Sequence, residues 1–177
     1  MDGKMRGFTL IELLIVIIVV SLMATMATIY VREYRISSSL KEAVNKITTD
    51  LGYIKSLSVS TDDIWVLCFI DEDGDSEYEA YRIIGDKGGD MSINLDDCTA
   101  TGPDDHIKEK VNLPVNVHLD ISPDTAVLIG FAKRGITLIN SGGDYANFGV
   151  RFTVTSKIDP TRKRIITVNT AGRVYSQ

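Results

Sequence analysis

The sequence predicts an α+β protein, with one long N-terminal helix packed on a C-terminal antiparallel β domain. Three observations carry that reading. The chain opens on an apolar run, Phe8–Val31, in which Glu12 is the only charged residue. An amphipathic stripe then continues to residue 60 without a proline. Past residue 63, short segments rich in Val, Ile, Thr and aromatics take over, separated by Gly, Asp, Asn and Pro. The chain therefore divides into a short basic leader (1–7), an apolar helix (8–31), an amphipathic continuation of that helix (32–61) and a β-rich domain (62–177).

The apolar run holds 24 residues. At ~1.5 Å per residue these give roughly 36 Å of helix, enough to cross a hydrocarbon core of about 30 Å. Lys4 and Arg6 precede it, and Arg32, Glu33 and Arg35 close its far end. The basic leader predicts a cytoplasmic N-terminus, which places the domain on the other side of the membrane. A secretory signal fits badly, because the run is too long and lacks a small-x-small cleavage pattern followed by a clear domain start. A plain single-pass anchor satisfies hydropathy equally well.

Glu12 separates these readings. A carboxylate in a membrane helix costs a few kcal/mol at the bilayer centre and less near an interface, so it calls for a partner. It stands close to a potential new N-terminus at Phe8, whose α-ammonium could neutralise it. Within one helix that amine folds back poorly, whereas a staggered neighbouring chain can supply it. A charge satisfied by a second copy is a device for ordered polymerisation.

Beyond the apolar run, Leu40, Val44, Ile47, Leu51, Ile54 and Leu57 recur at spacings of three and four, with Lys41, Glu42, Lys46, Asp50 and Lys55 between them. This stripe predicts a helix face packed on the chain's own domain, ending at Thr61-Asp62-Asp63. Strands are expected at Ile64–Ile70, Tyr78–Ile84, Val115–Ile121, Ala126–Phe131, Ile136–Ile139, Val150–Ser156, Arg164–Asn169 and Arg173–Ser176. Val150–Ser156 and Arg164–Asn169 should pair as a hairpin across Asp159-Pro160. The glycine-rich stretch Ile84–Val111 is expected to be a mobile loop.

Composition narrows the function classes. The chain of 177 residues has net charge −5, and without residues 1–7, which hold Asp2, Lys4 and Arg6, the balance is −6. An acidic chain is a poor phosphate binder, so nucleic acid is not the expected partner. Cys68 and Cys98 match no zinc spacing. They allow a disulfide in an oxidising compartment, or a buried Cys68 beside a free loop thiol at Cys98. Asp71, Asp73 and Asp75 with Gly74 invite a calcium reading, but Gly74 and Arg82 break the EF-hand template, and a solvated turn explains them equally. His106 and His118 are the only histidines. No nucleophile–base order, phosphate loop or metal pair surrounds them, so no enzyme activity and no cofactor are expected.

Gly7-Phe8-Thr9-Leu10-Ile11-Glu12-Leu13-Leu14 resembles the processing signature of type IV pilins and type II secretion pseudopilins. The resemblance implies cleavage after Gly7 by a prepilin peptidase, methylation of Phe8 and an assembly role for Glu12. It also implies an inner-membrane assembly platform and other pilin-like subunits as partners, with membrane lipid around the helix before assembly. The location it implies is the bacterial inner membrane, single-pass with the domain in the periplasm, and then a pilus or pseudopilus. Many members carry a proline in the membrane half of the helix; Phe8–Val31 has none, which predicts a straighter helix.

The β half is similar to GspH/FimT-type minor pseudopilins and pilins. The likeness rests on Cys68-Phe69-Ile70-Asp71-Glu72-Asp73-Gly74-Asp75, on Gly130-Phe131 with Arg134-Gly135, and on Ile165–Asn169 followed by Gly172-Arg173-Val174. It implies a helix packed against two sheets, and a minor pseudopilin that supports protein export in a type II secretion system. The alternative it implies is a minor or major type IV pilus subunit serving adhesion, motility or DNA uptake. Some FimT-like pilins bind DNA through a C-terminal Gly-Arg-x-Arg. Here Tyr175 replaces the second arginine, leaving Arg173 with the basic turn Arg162, Lys163 and Arg164 as the candidate DNA contacts.

Overall fold

The computed structural model describes residues 8–61, 63–71, 74, 77–86, 93–94, 98–100, 106–108, 110–122, 126–132, 136–141, 144–146 and 149–177. Helix α1, Leu10–Thr61, runs unbroken for 52 residues, roughly 78 Å at the α-helical rise. Its two halves differ in what they touch. Every residue from Phe8 to Arg35 is exposed, and burial begins at Ile36. From there Leu40, Ala43, Val44, Ile47, Leu51, Ile54 and Ser58 are buried, with Leu57 partly covered. Each large aliphatic side chain withdrawn from water contributes about 2 kcal/mol. The polar ties from the same face, such as Lys46 Nζ to the Asn112 carbonyl at 2.9 Å, contribute nearer 1 kcal/mol each. Apolar burial therefore holds the domain on the helix, and the ties set its register. The helix stops where Thr61 Oγ1 accepts the indole N–H of Trp65 at 3.0 Å and turns the chain into the first strand.

Strands β1 (Ile64–Ile70) and β2 (Ala80–Asp86) pair antiparallel. Then come four two-residue strands, β3 (Ile93–Asn94), β4 (Thr99–Ala100), β5 (His106–Ile107) and β6 (Val111–Asn112). The chain continues through β7 (Val117–Ser122), β8 (Ala126–Ala132), β9 (Ile136–Ser141) and β10 (Asp144–Ala146). It closes with β11 (Val150–Ser156), β12 (Lys163–Val168) and β13 (Val174–Ser176). One sheet runs β10-β9-β8-β1-β2-β5, with β6 also on β2; the other runs β13-β12-β11-β7; β3 and β4 form a small ribbon. The architecture is the expected long helix on two antiparallel sheets. Tyr78 and Leu119 exchange backbone hydrogen bonds of 3.1 Å, joining the sheets.

Strand β1 is buried on both faces. Trp65, Leu67 and Phe69 join the core against the helix, while Val66 and Cys68 join a second cluster with Ile84, Cys98 and Leu128. Alternation of side chains across two buried faces is why this strand reads as an uninterrupted apolar run. Strand β8 lies against it so closely that a Cβ on Gly130 would collide with the Trp65 carbonyl and Val66.

Three expectations need correction. The second strand begins at Ala80 rather than Tyr78, because Tyr78 pairs with Leu119 of the other sheet. The strand expected from Val115 begins at Val117, whose N–H is first taken up by the Pro114 carbonyl at 2.9 Å. Ile84–Val111 is not one loop among the described residues, since β3, β4 and β5 lie within it and β6 begins at its end.

Candidate functional site

The exposed half of α1 starts with a cap. The Thr9 N–H and hydroxyl each donate to Glu12 Oε2 at 2.8 Å, and the Glu12 N–H reaches back to Thr9 Oγ1 at 3.3 Å. This is a capping box, which satisfies donors that the first turn leaves without carbonyl partners. The Thr9 carbonyl takes the N–H of Leu13 at 3.3 Å, so the helix begins at this residue. Sequence reasoning assigned Glu12 to a neighbouring chain and missed this second role, although Thr9-Leu10-Ile11-Glu12 carries the Thr-x-x-Glu pattern. Phe8 is 85% exposed, and Gly7 lies outside the described residues.

The serine and threonine hydroxyls within the apolar run are internally satisfied. Ser21 Oγ donates to the Ile17 carbonyl at 2.7 Å, Thr25 to Ser21 at 2.9 Å and Thr28 to Thr25 at 2.7 Å. Bonds back into the helix allow such side chains in a medium without water. From Leu10 to Val31 the surface is therefore apolar apart from Glu12 and the Tyr30 hydroxyl near its end. Among the described residues this is the one helix long and apolar enough to cross a membrane.

The other sequence-derived candidates fall into separate places. Cys68 and Cys98 form a disulfide with Cα atoms 5.7 Å apart, buried on the face of β1 away from the helix. Cys98 holds φ at +53°, a left-handed conformation uncommon for a side-chain-bearing residue. Asp71 Oδ1 accepts the N–H of Gly74 at 2.7 Å, and Gly74 supplies φ +78° for the turn. Asp73 and Asp75 lie outside the described residues, and among those described no three His, Cys, Asp or Glu side chains could share a metal ion.

The basic candidates do not form one patch. Arg162 bonds Glu33 of the helix at 3.0 Å, and Lys163 and Arg164 are exposed at the start of β12. Arg173 lies beyond the far end of β12, held through its backbone N–H to Asn169 Oδ1 at 2.9 Å. Between Arg162 and its neighbour Ser156, Asp159 takes both the hydroxyl (2.7 Å) and N–H (3.1 Å) of Thr161. Those bonds, with smaller help from Arg162 and Arg32, hold its carboxyl below the usual range. His118 is buried beside Glu77 at 3.3 Å and Asp120 at 3.7 Å. His106 is exposed and stacked on Trp65, ring centroids 6.3 Å apart.

Residues 3–28 match the family of the prokaryotic N-terminal methylation motif. No curated protein matches the sequence. Among solved structures the chain is similar to the type IV minor pilin FimU of Pseudomonas aeruginosa strain PAO1 in two crystal forms. The P21 form aligns with a TM-score of 0.53 at 14% identity, over 80% of this chain and 90% of that one. The P65 form gives 0.51 at 15%, over 78% and 92%. The motif lies at the start of α1, where the capped apolar segment begins, and the fold is the one shared with FimU. This chain thus carries the prokaryotic N-terminal methylation motif on the fold of a type IV minor pilin, a long helix laid on two antiparallel sheets.

Proposed function

We propose that the chain is a minor subunit of a pilin-like filament. It is inserted through Phe8–Val31 with its domain outside the cytoplasm, cut after Gly7, methylated at Phe8 and polymerised through the same helix. The observation that carries this reading is the abrupt change at Ile36: the domain buries a face of the helix from that residue on, and every residue from Phe8 to Arg35 stays exposed. A bare apolar rod of this kind needs lipid or other helices around it, and assembly exchanges the first for the second. Both Thr9 bonds fall on Glu12 Oε2, so Oε1 is free to take a neighbour's N-terminal amine. Capping and register-setting are then compatible uses of one carboxylate.

Likeness to a minor pilin supports membership of a type IV pilus. The second reading, a GspH-like minor pseudopilin of a type II secretion system, draws on the likeness of Cys68–Asp75 and Gly172-Arg173-Val174 to GspH/FimT-type minor pseudopilins and pilins, a likeness common to both readings. Intact mass of the protein from host membranes tests the shared part: residues 8–177 plus one methyl group is expected. An uncut chain removes the assembly reading. Glu12→Ala should still be inserted and cleaved but be absent from sheared filaments; normal incorporation would end the role given to this carboxylate.

A further inference from the structure

We infer that the β11–β12 turn, residues 157–162, is a second membrane contact, which seats on the leaflet at the domain end of the helix and recognises an anionic phospholipid headgroup. The inference rests on the membrane-spanning role given above to Phe8–Val31. Its foundation is where the turn lies. Ile158 shares a groove with Ala27, Thr28, Val31, Arg32 and Arg35 of the helix. Arg162 is bonded to Glu33, and Asp159 lies within the electrostatic reach of Arg32. The helix residues in all three relations precede Ile36, where the buried core begins, and Ala27, Thr28 and Val31 belong to the apolar run itself. With that run in a bilayer, the turn meets the interface and brings Ile158, 36% exposed, down to its apolar edge.

The charges suit a phosphate-bearing surface. Arg32 and Arg35 on the helix, Arg162 at the end of the turn, and Lys163 and Arg164 at the start of β12 gather around this groove and the one beside it, against Glu33 and Asp159. Both acids are engaged internally, Glu33 by Arg162 and Asp159 by Thr161. Lys157 is held by Glu79 at 2.8 Å, which leaves Arg32, Arg35, Lys163 and Arg164 as the principal headgroup cations. This local excess stands out on a chain of net charge −5. Basic side chains near a leaflet are drawn to an anionic surface, each adding to the attraction. Tyr30 and Tyr34, one helical turn apart and 77% and 74% exposed, stand at the same level. Tyrosines favour that depth, with the ring in the headgroup zone. A turn serving only to clasp the helix would need Arg162 and Glu33 but neither the apolar tip nor the surplus cations.

The test uses the full chain in vesicles of phosphatidylcholine, alone or mixed with phosphatidylglycerol, with brominated acyl chains as quenchers. Ile158→Trp is read against the wild type, whose only tryptophan, Trp65, lies roughly 45 Å beyond Val31 by helix rise. The expected result is several-fold stronger quenching of Ile158→Trp than of wild type with phosphatidylglycerol, reduced by salt and by Arg32→Gln/Arg35→Gln. Quenching no greater than wild type, in a chain that resists carbonate extraction, would overturn the contact. Equal quenching in both lipids, unmoved by the arginine changes, would overturn the anionic selectivity. Release by carbonate would instead remove the membrane-spanning premise, and the inference with it. Should Ile158→Trp fail to fold, slower amide exchange of residues 157–162 in wild type with phosphatidylglycerol gives the same decision.

Discussion

Thr9 and Glu12 are bound to each other in both directions: two donors of Thr9 reach Glu12 Oε2 at 2.8 Å, and the Glu12 amide returns to Thr9 Oγ1 at 3.3 Å. Cap and charge can be separated by substitution. Thr9→Ala removes the cap and leaves the carboxylate, at a cost of about 1 kcal/mol to the first turn. Amide exchange over residues 10–13 in micelles should rise roughly five-fold, a ratio that matches that cost, while filament incorporation persists. Glu12→Gln should show the reverse, with modest fraying and no incorporation.

Tyr81 ties the sheet to the helix through Asp50, its hydroxyl donating to Oδ2 at 2.6 Å. Burial, and next the Asp50 carboxylate, push its phenol well above the ordinary value. A folded-state pKa raised above the unfolded one means stability that is complete below pH ~10 and is lost as the unfolded phenol ionises above it. Tyr81→Phe should cost about 1 kcal/mol at neutral pH. It should also flatten the alkaline fall in stability relative to wild type, as measured by denaturant unfolding across pH 8–11.

The Cys68–Cys98 bond closes a loop with a sequence separation of 30. In the loop-entropy description it contributes about 3.5 kcal/mol. The double variant Cys68→Ala/Cys98→Ala should lower the denaturation midpoint accordingly, and reductant should have no further effect on it. An unchanged midpoint would show that this crosslink restrains the unfolded chain very little.

Gly130 sits where β8 crosses against the backbone of β1, and any side chain there meets the Trp65 carbonyl and Val66. Backbone cannot rotate aside as a flexible side chain can. Gly130→Ala should destabilise the domain by about 1–3 kcal/mol, several degrees in thermal melting, with the N-terminal helix unaffected by circular dichroism in micelles.

Much of this fold was legible in the chain because its signals are local. Ile64–Ile70 and Val150–Ser156 were readable to the residue, and the stripe from Leu40 to Leu57 marked the buried helix face. What escaped was decided at a distance. Strands of two residues, such as Val111–Asn112, exist because a neighbour offers an edge, and no periodicity can develop over so short a span. Glu33 and Arg162 are 129 positions apart, so neither announces the other. The cap between Thr9 and Glu12 was visible in the sequence, but the cost of a charge in an apolar run directed attention to a neighbouring chain.

The domain has no wall of its own where the helix lies. Ile36, Leu40, Ile47, Leu51 and Ile54 fill one side of its interior, so expression from residue 62 onward would yield a sheet pair with an open seam rather than a smaller protein. A folded domain free of the apolar run would be released only by a cut between Val31 and Ile36. Proteolysis above Leu40 would release fragments unable to keep their shape. The apolar segment and the domain are therefore separable only across that short gap, and the gap is where Arg162 clasps Glu33.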